Sequence, residues 1–152
     1  MNIRKPRPTR EMSVADAVSE ACGDLAQLGE EMREWADSME EKFSGTEKYD
    51  RVSGTADALE NISEPEAPDW AKSTMTTIVD LPARKRGYSR SDRCSHAISI
   101  LEDAYNLCDE RVSELGDDDN TQEERETIET YRDEIEEIKG IAEEADFPGM
   151  YG

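Results

Sequence analysis

The chain has 152 residues, 38 acidic and 18 basic, giving a formal net charge of −20, and only 35% of its residues are hydrophobic. That balance excludes a thick, layered core and favours amphipathic helices, each with a narrow apolar stripe and a wide solvated face. A field of this sign repels nucleic acid and anionic membrane and attracts basic protein surfaces, so direct nucleic-acid binding is not expected.

Residues 1–12 hold Pro6 and Pro8 among basic residues with no apolar period, which predicts a flexible basic arm. Ser13 is placed to cap a first helix, with Asp16 three residues on. Val18, Ala21, Leu25, Leu28, Met32, Trp35 and Met39 then step by threes and fours, a heptad seam ending near Phe43 at Ser44-Gly45. Trp35 is expected in the core. Thr46 can cap a second helix, whose seam is Tyr49, Val52, Ala56 and Leu59, with Ile62 near the same face. The short connection predicts that residues 13–62 fold back as an antiparallel hairpin.

Residues 63–89 form a connector, first Pro-containing (Glu64-Pro65-Glu66-Ala67-Pro68) and then basic. Its apolar residues, Trp70, Met75, Ile78, Val79 and Leu81, are too few for a long helix. A short helix or an extended segment covering the end of the bundle is expected there. A third helix opens near Ser89 or Ser91, with the seam Cys94, Ile98, Leu101, Tyr105, Cys108, Val112 and Leu115, and Gly116 is placed to stop it. Thr121 and Glu124 make a capping box for a fourth helix, carrying Ile128, Tyr131, Ile135, Ile138, Ala142 and Ala145. Residues 147–152 form an apolar tail that can dock on the bundle or on a partner. The expectation is an all-α chain: two hairpins, 13–62 and 90–146, forming an elongated four-helix bundle or a coiled-coil-like assembly, with helices roughly 40 Å long.

Several constellations invite chemistry. His96 stands alone, and a ferritin-like di-iron site needs two histidines. Cys94 and Cys108 lie 14 positions apart on one helix, about 21 Å, so they cannot share a metal within it; the three cysteines read as small core residues. Asp117 to Asn120 lacks the alternate spacing of an EF-hand loop and reads as a polar turn. Nine of the 18 basic residues fall in two clusters: Arg4, Lys5, Arg7 and Arg10, then Arg84, Lys85, Arg86, Arg90 and Arg93. Arg84, Lys85, Arg86 and Arg90 of the second cluster, with Trp70, Phe147 and Tyr151, are the candidate binding residues. Neutralisation of the acidic body within the molecule is the simplest role for its arginines, and Trp70 is expected to cover the bundle end.

Two resemblances follow. Glu30-Glu31-Met32-Arg33-Glu34 with Asp57-Ala58-Leu59-Glu60 resembles the acidic motifs of all-α nucleoside-triphosphate pyrophosphatases. This implies Glu31, Glu34, Asp57 and Glu60 as magnesium ligands, although the second motif runs Asp-x-x-Glu where that family has Glu-x-x-Asp. The stretch from Met32-Arg33-Glu34-Trp35 through Thr46-Glu47-Lys48-Tyr49 to Ala56-Asp57-Ala58-Leu59-Glu60 resembles small bacteriophage proteins with a helical hairpin of this kind, over about the first 70 residues. That likeness implies a phage accessory or structural protein in a host cytoplasm.

The leading expectation is a non-enzymatic interaction module without a cofactor, binding a protein with a basic surface and open to homo-oligomerisation. The alternatives are a DNA mimic that blocks a host defence or DNA-binding protein, and the magnesium-dependent pyrophosphatase. Halophilic adaptation would give the same charge. No run nears the roughly 20 apolar residues of a membrane span. With no apolar run after the basic start and no disulfide-framework spacing, a cytoplasmic setting is expected.

Overall fold

The computed structural model describes residues 7–43 and 45–148. Among these the chain is mostly helical, with five α-helices, one 3-10 turn and a two-stranded antiparallel sheet. The long helices are α1 (Val14–Phe43), α2 (Glu47–Glu60), α4 (Arg90–Leu115) and α5 (Gln122–Glu144); α3 (Asp69–Ser73) is a single short turn of helix in the connector.

The caps fall largely where the side chains dictate. Ser13 Oγ accepts from the Asp16 N–H at 3.0 Å, Thr46 Oγ1 from Tyr49 at 3.2 Å and Ser89 Oγ from Asp92 at 3.0 Å. Gly116 closes α4 at φ +61°, a conformation costly for a residue with a Cβ. The expected Thr121 capping box does not form. Asp118 instead accepts from Asn120 to start the 3-10 turn Asp119–Thr121, and the Thr121 hydroxyl donates to the carbonyls of Leu115 and Asp118.

Helix α1 packs against α2 and against α4, α4 pairs with α5, and α2 meets α5 only briefly. One core joins the first half of α1 to α4 and α5, and takes in Leu59 of α2, Ala71 of α3 and Ile78 of the sheet. A smaller cluster, Met32, Ala36 and Met39 with Val52 and Ala56, holds the far half of the first hairpin. The seam of α5 is as expected, with Ile128, Tyr131, Ile135, Ile138 and Ala142 all buried.

Two seams are rotated towards small residues. On α1, Ala36 is buried while Trp35 is only half-buried, which corrects its assignment to the core. On α4 the buried positions are Cys94, Ala97, Ile100, Leu101, Ala104 and Cys108, while Ile98 and Tyr105 lie at the margin. The reason is steric: α1 contributes Ala17, Ala21 and Cys22 to the same cluster, and small side chains let two helix backbones approach closely.

The arm expected over residues 1–12 is corrected in its described part. Thr9–Ser13 is strand β1, paired antiparallel with β2 (Met75–Val79), Thr9 opposite Val79 and Ser13 opposite Met75. Residues 1–6 lie outside the described residues. The connector contains both a short helix, α3, and an extended segment, β2. Ile78 is buried and Met12 packs partly against the same cluster, so the inner face of this ribbon joins the core.

Candidate interaction surface

Arginines sit at nearly every joint between elements, and each joint is closed by a carboxylate from elsewhere in the chain. Arg10 of β1 reaches Asp80 at the end of β2 and Glu20 of α1, the latter at 2.7 Å. Arg33 of α1 grips Glu60 of α2 at 3.1 Å and also Asp57. Glu31 of α1 receives both Arg90, at 3.3 Å, and Arg93 of α4. Arg111 of α4 meets Glu124 of α5 at 3.0 Å, and Arg132 of α5 meets Asp109 of α4 at 3.1 Å. The planar guanidinium suits such two-pronged contacts better than an ammonium does. The hydrogen bond from Arg93 is the main reason that the Glu31 carboxyl is held below its ordinary value, and Arg10 does the same to Asp80.

Trp35 acquires a role in this scheme that seam spacing alone did not show. Its ring carries the Arg90 guanidinium at 5.2 Å and the Lys48 ammonium at 5.5 Å from the centroid. Both separations fall within the range of a cation–π contact. Arg90 therefore lies between an aromatic face and a carboxylate.

The four residues implied as magnesium ligands do not converge. Glu31 faces α4 and its arginines, Asp57 and Glu60 are held by Arg33, and Glu34 is exposed. Among the described residues no group of three or more metal-binding side chains gathers anywhere. The cysteines are buried and unpaired; burial pushes the thiols of Cys22 and Cys94 up to about 11 and that of Cys108 up to about 12.

The binding candidates separate. Trp70 is half-buried against the main core, and Phe147 packs against both clusters, so neither is a free anchor. Arg90 is committed to Glu31 and Trp35. Arg84 stacks on Tyr88 at 4.7 Å, while Lys85 and Arg86 are exposed in the turn closed by Gly87 at φ +65°. Tyr151 lies outside the described residues. Neutralisation by the second basic cluster thus holds for Arg90 and Arg93; among the described residues Arg84, Lys85 and Arg86 make no ion pair.

With most of the described arginines engaged by carboxylates of the chain itself, many other carboxylates face water alone. On α1, Glu34, Asp37, Glu40 and Glu41 are exposed without an ion pair among the described residues, as are Glu134, Glu136, Glu137 and Glu144 on α5. One set lines a groove. Between the connector and α5 lies a cleft of about 330 Å³ walled by Glu64, Glu66, Glu134 and Glu137 over Ile62 and Ile138. A second cleft of about 490 Å³ adjoins it, sharing Glu66 and Glu134. An apolar floor under a carboxylate rim matches a lysine or arginine side chain, with its aliphatic stem and charged head. Sequence reading missed this groove, because it depends on how residues 61–69 lie along a helix more than 60 positions away.

Among the described residues no helix is long and apolar enough to cross a membrane. No protein-family model, no curated protein and no solved structure matches the chain.

Proposed function

We propose that this chain is a non-enzymatic helical interaction module that binds a basic protein surface, receiving lysine or arginine side chains in the groove between the connector and α5. The observation that supports this reading is the groove itself, with four carboxylates over an isoleucine floor and no cation of the described chain engaged with them. Its four long helices act as one elongated bundle, with α1 held to α2 and α4, and α4 to α5, by the arginine clamps. The likeness of the first hairpin to small phage proteins fits an accessory or structural role in an infected host's cytoplasm. The magnesium-hydrolase alternative draws no support from the positions of Glu31, Glu34, Asp57 and Glu60.

The test uses the full chain and a fluorescent oligoarginine peptide. Glu134→Lys with Glu137→Lys is expected to weaken binding at least tenfold, while Glu40→Lys with Glu41→Lys, on the far end of α1, changes it much less. Equal effects of the two pairs would mean that net charge alone attracts the peptide, and the groove reading would fall. Affinity capture from the natural host, repeated with duplex DNA as competitor, separates this module from a DNA mimic. Release of the captured protein by duplex DNA would favour mimicry.

A further inference from the structure

The ribbon of β1 and β2 has an edge that the helical body uses at one end, the Val79 carbonyl. Asp80 donates its N–H to Pro8 O and Val14 donates to Thr74 O, both at 2.8 Å. With the register Thr9 to Val79, this parity assigns the ladder bonds to the pairs Arg10–Ile78 and Met12–Thr76. The N–H and C=O groups of Met75, Thr77 and Val79 therefore point away from β1. Among the described residues no further strand takes these groups, and of them the Val79 carbonyl alone has a polar neighbour, His96 Nε2 of α4 at 3.1 Å.

The chemistry of this edge departs from the rest of the molecule. In a chain that is 37% charged, Ser73 to Val79 is seven residues without a charge, five of them β-branched. Met75 is 63% exposed and Val79 46%, on the same face of the ribbon as exposed Thr77. Edge strands are ordinarily blunted with lysine, proline or a bulge, and β2 has none of these. Across from Thr77 on that face stands Glu11, exposed and without an ion pair among the described residues.

We propose that β2 takes an extended segment of a basic partner protein as a third, antiparallel strand. Backbone bonds to Met75, Thr77 and the Val79 N–H would give affinity, while the Met75 and Val79 side chains give apolar contact beside them. Charge selects the occupant. A second copy would bring another net charge of −20 against this one, whereas a β-branched strand flanked by lysine or arginine is attracted by Glu11 and by the body. The inference rests on the reading of a basic partner, but uses a different surface from the groove.

The test is titration of the full chain with a synthetic peptide of alternating valine and threonine flanked by lysines, followed by amide hydrogen exchange. Protection of the Thr77 and Val79 amides by at least tenfold is expected. Thr77→Pro deletes an outward N–H without touching the β1 ladder, and is expected to weaken binding at least tenfold. Val79→Lys, which keeps the backbone and charges the face, should do the same if Thr77→Pro does not fold. A glutamate-flanked peptide should bind at least tenfold more weakly. Absence of protection, or binding unchanged in either folded variant, would overturn the proposal. So would a concentration-dependent dimer in light scattering whose formation protects the same amides without peptide, since the occupant would then be a second copy. Peptide binding lost in Glu134→Lys/Glu137→Lys but kept in Thr77→Pro would leave the groove standing and remove the edge; the converse would remove the groove and keep the edge.

Discussion

Thr55 and Asp146, 91 positions apart, exchange two hydrogen bonds: the Thr55 hydroxyl donates to the Asp146 carbonyl at 2.9 Å and accepts from the Asp146 N–H at 3.0 Å. Arg51, one turn earlier on α2, holds the Asp146 carboxylate with two nitrogens, at 2.5 and 2.9 Å. The end of α5 is thereby tied to α2, and Phe147 is delivered to the seam between the two core clusters.

Thr55 is buried, so its replacement by valine leaves the Asp146 backbone groups without these partners. Thr55→Val is expected to cost about 1–2 kcal/mol, read by chemical denaturation. Thr55→Ser should recover most of it. Limited proteolysis near Phe147 should quicken in the valine variant only.

The Glu31 clamp predicts a pH signature. Its folded carboxyl lies below the unfolded value of about 4.3, so its stabilisation is present above that pH and is lost as pH falls through the lower folded value. Glu31→Gln should cost about 1 kcal/mol at pH 7, and the difference from the parent should vanish in strong acid. Asp24 acts in the opposite sense: burial, then the charge of Glu20, raises its carboxyl, so it favours the folded state as pH falls. Denaturation curves of both chains across pH 2–7 check the sign; a difference that grows in acid would contradict it.

Glycines at two sites should respond oppositely to alanine. At Gly29 an added Cβ would lie 3.0 Å from Leu59 Cβ and 3.3 Å from the Glu60 nitrogen, so α2 would have to shift. Overpacking of this kind costs about 1–3 kcal/mol, more than the roughly 1 kcal/mol gained in helix propensity, so Gly29→Ala should destabilise. At Gly54 nothing lies within 4 Å, and Gly54→Ala should stabilise by up to about 1 kcal/mol. Thermal melts of the two variants decide this.

The thiols should be silent in the native protein. With Cys22 and Cys94 raised to about 11 and Cys108 to about 12, reaction with a chromogenic disulfide at pH 8 is expected to be slower by on the order of a hundredfold than in denaturant, where all three react. A fast-reacting native thiol would show that the packing of α1 or α4 around it opens.

Much of this architecture is written locally. Leu25, Leu28 and Met32 on α1, or Ile128, Tyr131 and Ile135 on α5, are large apolar residues at helical spacing, and each is buried as its spacing dictates. The errors arise where two residues compete for one place on a helix. Trp35 and Ala36, or Ile98 and Ala97, differ by one step, and hydrophobicity favours the larger while close helix approach favours the smaller. Only the facing helix settles the matter. The strand at Thr9–Ser13 was invisible for a related reason, because its partner lies more than 60 positions away and neither strand alone has a strong pattern. The groove shares that non-local origin: Glu64 and Glu137 are unremarkable in sequence and meet only because the connector turns back along α5.

The contact at Gly29 has a consequence for uniqueness. A heptad seam is nearly periodic, so a hairpin built on one is close to degenerate under a slide of seven residues. Such a slide on α1 would set Cys22 or Ala36 where Gly29 now faces Leu59, and each would bring a Cβ into the space that the glycine leaves open. One missing methyl group thus acts as a notch, selecting a single alignment of α1 and α2 from a set that the hydrophobic pattern alone would leave nearly equal in energy.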